Sequence, residues 1–144
     1  MTGTVIAAAV GTIAFSVLFS VPRRNYLMCG LIGGAGWLIY LLLEKVSFLG
    51  GTGATYLAAA AVILMSREAA VIQKCPATMF MIPGIFPLVP GAGIYWAAYY
   101  LVTNQLRLSL TSGLGAMKTA FAIVLGIVTV LEIPGRFFKK PKLK

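Results

Sequence analysis

Charged residues fall along this chain in small clusters. The apolar runs between them suit membrane-crossing helices, which need roughly 20 residues for ~30 Å of hydrocarbon. Met1–Val21 is one run, closed by PRRN at 22–25. Tyr26–Leu43 is a second, closed by Glu44 and Lys45, and a glycine-rich turn, FLGGTG at 48–53, opens a third. The last run starts around Gly113–Lys118 and stops at IPGRFFKKPKLK. The region before it holds a fourth crossing of unusual composition. This pattern predicts an all-α integral membrane protein with about five transmembrane helices, four being the alternative.

The third run poses a length problem. Thr52 to Ser66 is 15 residues, about 22 Å at 1.5 Å per residue and too short to cross. Continuing through REAAVI to Ile72 gives 21 residues and about 31 Å. Arg67 and Glu68 would then lie inside the cytoplasmic boundary, where charges are paired, snorkel or serve function. The other reading ends the helix at Ser66 with little tilt, and the sequence leaves both open. In the second run, Gly30 and Gly34 form a GxxxG pair that lets another helix backbone approach. Packing within the chain is the favoured reading. A seam between two copies, and so a homo-oligomer, is the alternative.

From Cys75 to Leu106 there is no charged residue in 32 positions, and Pro76, Pro83, Pro87 and Pro90 fall within 15 of them. Each proline removes a backbone donor and clashes with the carbonyl four residues earlier. An unsatisfied backbone group in hydrocarbon costs several kcal/mol. A helix restarting at Gly91 has 13 residues before Asn104, about 20 Å. Either the proline stretch therefore forms part of the crossing, or Asn104, Gln105 and Arg107 are drawn into it. Irregular backbone at that depth is tolerated where it is buried in protein or lines a watery cavity. We expect a Pro/Gly-broken or re-entrant segment at 76–93. A half-helix from near Gly91 would offer free N–H groups to the carboxylate of a small solute. The candidate solute pathway is Pro83, Gly84, Pro87, Pro90, Gly91, Gly93 and Tyr95, with Arg67 at the membrane edge. The alternative is a kinked, ordinary helix whose bends serve packing.

Composition strengthens the membrane assignment. The chain is 60% hydrophobic and 10% charged, against about 25% charged in soluble domains. Met1–Phe19 lacks the basic region that opens a secretory signal. The net charge of +9 could suggest nucleic acid, but five of the twelve basic residues lie in the last nine positions (Arg136, Lys139, Lys140, Lys142, Lys144). Such a tail is the ordinary cytoplasmic anchor of a membrane protein, so no nucleic-acid partner is expected. We expect a single transmembrane domain over 1–138 and a basic cytoplasmic tail at 139–144. With five spans, one side holds Arg23, Arg24, Arg67, Lys74 and the five tail residues, against Lys45, Arg107 and Lys118 on the other. Nine against three places the C-terminus in the cytoplasm and the N-terminus outside.

The chain has no His and no Asp, and its acids are Glu44, Glu68 and Glu132. No carboxylate pair, metal-ligand cluster, nucleophile–base arrangement or phosphate loop can be assembled from it. We therefore expect neither an enzyme nor a metal or cofactor. Glu68 and Glu132 are the candidates for coupling to a proton gradient. For Glu132 the blander reading is an interfacial acid neutralised by Arg136. Cys29 and Cys75 read as small buried hydrophobes.

Three blocks then carry a resemblance: FSVP at 19–22 with Arg24, Cys29 and Gly30; CPATMFMIPGIFPLVPGAGIY at 75–95; and IPG at 133–135 before the basic tail. Together they resemble the small subunit of the threonine/serine exporter family, and the central block is the most specific. The matching residues are Pro22, Arg24, Pro76, Pro87, Pro90, Gly91 and Tyr95. Ser20 stands where Asn is common, and GAGW at 34–37 lacks a polar cluster seen in some members. The resemblance implies a multi-pass protein of the bacterial inner membrane that acts as a secondary exporter of threonine and serine, or of dicarboxylates such as succinate. It also implies a separate, larger membrane subunit as partner. A non-transporting scaffold that stabilises the larger protein is the competing function.

Overall fold

A computed structural model describes residues 2–46 and 50–134. Six α-helices account for most of them: α1 (Thr2–Leu18), α2 (Tyr26–Val46), α3 (Gly50–Gln73), α4 (Thr78–Ile85), α5 (Gly91–Val102) and α6 (Leu106–Leu131). Short 3₁₀ turns at Arg23–Asn25 and Phe86–Leu88 lead into α2 and out of α4. The expected tail at 139–144 lies outside the described residues.

Among the described residues three helices are long and apolar enough to cross a membrane, and a fourth crossing is available if α4 and α5 form one bent span. The fifth expected span corresponds to α1, whose 17 residues are apolar but short, about 25 Å. Five crossings are thus not established by length and composition. The third run is helical through Gln73, so Arg67 and Glu68 lie within the helix and not beyond its end. The last helix starts earlier than its composition suggests, at Leu106, because Arg107 and the Ser/Thr residues of its first turns are compatible with a helix exposed along that stretch.

Close approaches fix the directions of the helices. A Cβ on Gly33 would strike Thr12, and one on Gly34 would lie 3.2 Å from Ala9, so α1 and α2 run antiparallel. A Cβ on Gly36 would strike Val62, which sets α2 against α3 in the same sense. These glycines pack within the chain, as the favoured reading of the GxxxG pair had it. Gly126 of α6 meets the backbone of Tyr56 and Ala60, while Arg67 reaches Val130 and Ile133, so α3 and α6 run parallel. Gly93 meets Ala116 and Gly113 meets Ala97, making α5 and α6 an antiparallel hairpin.

Three helices end on residues with left-handed backbone: Ser20 (φ 55°), Lys74 (φ 53°) and Asn104 (φ 63°). After each, the next amide bonds back across the turn: Val21 to Ser16, Cys75 to Ala70 and Gln105 to Tyr100. These are Schellman ends, which satisfy the carbonyls a helix leaves orphaned.

The core lies among α1–α4 and the inner face of α6, and contains Cys29, Ile32, Val62, Phe80, Leu88 and Ile123. No residue of α5 is buried. Lys118 lines the same groove as Thr52 and Gly53 at the start of α3. In that register α5 and the first half of α6 run past the beginning of α3.

Candidate functional site

The proline segment divides into three structural roles. Pro83 sits inside α4 and removes the donor that would have served Met79 O. The Cys29 thiol of α2 faces that carbonyl and donates to it at 3.7 Å. Pro87 would orphan Pro83 O, but the Phe86 amide takes it as the helix tightens to 3₁₀. Pro90 would orphan Phe86 O, which Val89 N–H takes at 3.1 Å. Only Pro90 breaks the chain: it forces Val89 into extended backbone (φ −62°, ψ 132°), whereas Phe86, before Pro87, stays helical.

The break bends α5 by 51° from the axis of the preceding helix. Gly84 sits against Val62 and Ser66 of α3 and Ile32 of α2, so α4 runs against α3. Because α5 runs against α6, and α6 parallels α3, α4 and α5 continue in one general direction. The segment is a broken helix and does not double back.

The expected pathway residues are dispersed along it. Pro83 and Gly84 are buried between α2 and α3. Pro87 is half-buried beside Thr4, Ala8 and Trp37. Gly91 is exposed with open space where a Cβ would stand, and Tyr95 is 62% exposed. Gly93 is taken up by packing on α6. Pro90, half-buried, precedes Gly91 at the start of α5. Arg67 Nη1 donates to Val130 O at 2.6 Å and Ile133 O at 3.0 Å, capping the end of α6. That brings Arg67 to the turn holding Glu132, which is exposed. Glu68 is also exposed and lines a groove between α2 and α3 with Met28, Ile32 and Ile72.

Buried polar side chains that pattern reading passes over form a seam where α1 meets α2, with Thr12 against Gly33 and Ser16 against Cys29, while Ser66 of α3 lies by Gly84. Thr12 and Ser16 of α1 and Ser66 of α3 are fully buried. Each hydroxyl donates its proton one turn back, to Ala8 O, Thr12 O and Val62 O respectively. What remains on each oxygen is acceptor capacity. Cys29 lies against Ser16 and near Cys75. Asn25, 2% exposed, closes the seam at the start of α2: Nδ2 reaches Cys75 Sγ at 3.9 Å and Oδ1 has no partner. An unpaired buried acceptor costs about 1–3 kcal/mol. The available signal was Thr12 and Ser16, one turn apart in an otherwise apolar run, opposite the glycines of the second span.

A family model described as "Threonine/Serine exporter, ThrE" matches residues 4–133, from α1 to the end of α6. The chain belongs to this family. It is 29% identical over 138 residues to the "Threonine/serine exporter" of Corynebacterium glutamicum, covering 96% of this chain and 28% of that protein. It is 28% identical over 138 residues to the "Probable threonine/serine exporter" of Mycobacterium tuberculosis, covering 95% of this chain and 25% of that protein. The chain thus spans about a quarter of the length of the curated relatives it matches. No solved structure matches it. Family membership and the apolar helices make this a multi-pass membrane protein.

Proposed function

We propose that this chain is the small subunit of a secondary exporter of small amino acids, threonine and serine first, working with a larger membrane subunit that supplies the rest of the transporter. The family match across residues 4–133 carries this reading.

The buried seam refines the substrate. Thr12, Ser16 and Asn25 Oδ1 offer acceptors, which suit the three donors of an ammonium group. Arg23 and Arg24 share the turn with Asn25 and are exposed, and they suit a carboxylate at the mouth. A zwitterion uses both; a dicarboxylate such as succinate uses only the arginines. The candidate pathway therefore shifts toward Pro83, Gly84 and the seam, while Pro87, Pro90, Gly91, Gly93 and Tyr95 shape the bend. Glu68 and Glu132 remain the groups proposed to couple export to protons. The domain is proposed to lie in the bacterial inner membrane with its N-terminus outside and its C-terminus in the cytoplasm.

The scaffold reading has one observation in its favour: every carbonyl freed by Pro83, Pro87 and Pro90 is satisfied within the chain. Asn25→Leu separates the two. The change removes an unpaired acceptor at nearly constant volume, so a pathway role predicts lost threonine and serine efflux from vesicles containing both subunits, with melting temperature unchanged or raised. A scaffold role predicts full efflux. Vesicles holding both unaltered chains that move neither amino acid under a proton gradient would sink the transport assignment itself.

A further inference from the structure

A groove of about 430 Å³ runs between α3 and α6, separate from the groove that Glu68 lines and outside the seam. One end is marked by Thr52 and Gly53, in the first turn of α3, and by Lys118 of α6; the other by Leu57, Phe121 and Leu125. We propose that this groove binds an anionic phospholipid, with its phosphate at Lys118 and an acyl chain along Leu57, Phe121 and Leu125.

The argument is one of charge and polarity along a single axis. Lys118 is close to midway along α6, yet the parallel register sets it beside the beginning of α3. The first amides of α3 carry the positive end of its dipole and lack intrahelical acceptors. An ammonium beside them is a like-charge arrangement unless an anion lies between. Among the described residues no carboxylate lines the groove to serve as that anion. From this cationic end the lining becomes largely apolar toward the helix middles, with the one polar group there, the Tyr56 hydroxyl, donating to Thr129 Oγ1 at 3.1 Å. A free amino acid fits poorly, because its ammonium would find no acidic partner there and its surroundings would be hydrocarbon. The volume lies within the ~300–1,000 Å³ of ordinary ligand sites. This site is independent of the transport reading.

The test is native mass spectrometry of the full chain in detergent, titrated with phosphatidylglycerol or phosphatidylcholine of identical acyl chains. One lysine beside an anionic headgroup should give roughly fivefold tighter retention of phosphatidylglycerol. Lys118→Gln should bring the two lipids level, and Lys118→Arg should keep the preference. Leu57→Trp, which fills the groove from a partly exposed position, should weaken retention of both. A preference that survives Lys118→Gln would place the lipid at the other basic residues and overturn the assignment. So would unchanged retention in Leu57→Trp, or a second copy of the chain that occupies this face and excludes lipid.

Discussion

Ser20, Lys74 and Asn104 each hold a left-handed backbone at the end of a helix, a conformation that costs a typical L-residue about 1–2 kcal/mol. Asn tolerates it, because its short side chain bonds locally; Lys has no such compensation. Lys74 is exposed and its Schellman bonds come from the backbone, so Lys74→Gly should raise stability by about 1 kcal/mol. Asn104→Gly should gain less. Thermal melting of the detergent-solubilised chain checks the ranking, and equal gains at both sites would contradict it. Ser20 holds the same left-handed conformation. Asn is the better cap there, so Ser20→Asn should stabilise the chain by a few tenths of a kcal/mol and leave efflux unchanged.

At the scale of elements, the α3–α6 contact depends on one glycine whose neighbours cannot yield. A Cβ at Gly126 would stand 2.8 Å from Tyr56 O and 3.1 Å from Ala60 N, both backbone atoms. At Gly113, between α5 and α6, the nearest atom is 3.7 Å away, an ordinary contact. Gly126→Ala should therefore cost about 1–3 kcal/mol as α6 is pushed off α3, while Gly113→Ala should be neutral or slightly stabilising. Melting curves of the two variants compare them directly. The bend offers a second contrast. Pro90 alone drives its predecessor to extended backbone, so Pro90→Ala should straighten the α4–α5 junction, and Pro87→Ala should not. Distances between spin labels at Thr78 and Thr103 would lengthen only in the first variant. Proline spacing made a break within 76–93 and a restart near Gly91 legible in the sequence, and the structure narrows the break to Val89–Pro90. The short helix at 78–85 was not, because its stability comes from a partner remote in sequence: Cys29, 50 residues away, serves the carbonyl that Pro83 leaves open. Arg67 was legible as an unusual charge but not as a cap, since nothing in its neighbourhood points to the carbonyls of α6. The seam escaped notice because isolated Ser, Thr and Asn residues in apolar runs acquire meaning only when helices set them side by side.

For the whole molecule, helix direction and charge distribution agree without having been derived from one another. Because α1, α2 and α3 alternate and α6 parallels α3, the ends at Arg23–Arg24, at Lys74 and after Leu131 lie on one side of the bundle. Arg67, near the end of α3, belongs to that side, while Lys45 and Arg107 lie at the other. The bent α4–α5 run must carry the chain from the first side to the second for α6 to start where it does. Basic residues are retained in the cytoplasm, so the first side is predicted to be cytoplasmic. Single cysteines introduced into a Cys29→Ser, Cys75→Ser background test this. A membrane-impermeant maleimide added to intact cells should label Thr103→Cys, in the α5–α6 turn, and leave Ala77→Cys unmodified until the cells are opened. The reverse labelling would invert the protein. Labelling of both sites from outside would mean that the bent run returns to its starting side, leaving α6 to begin on the same face where α3 ends.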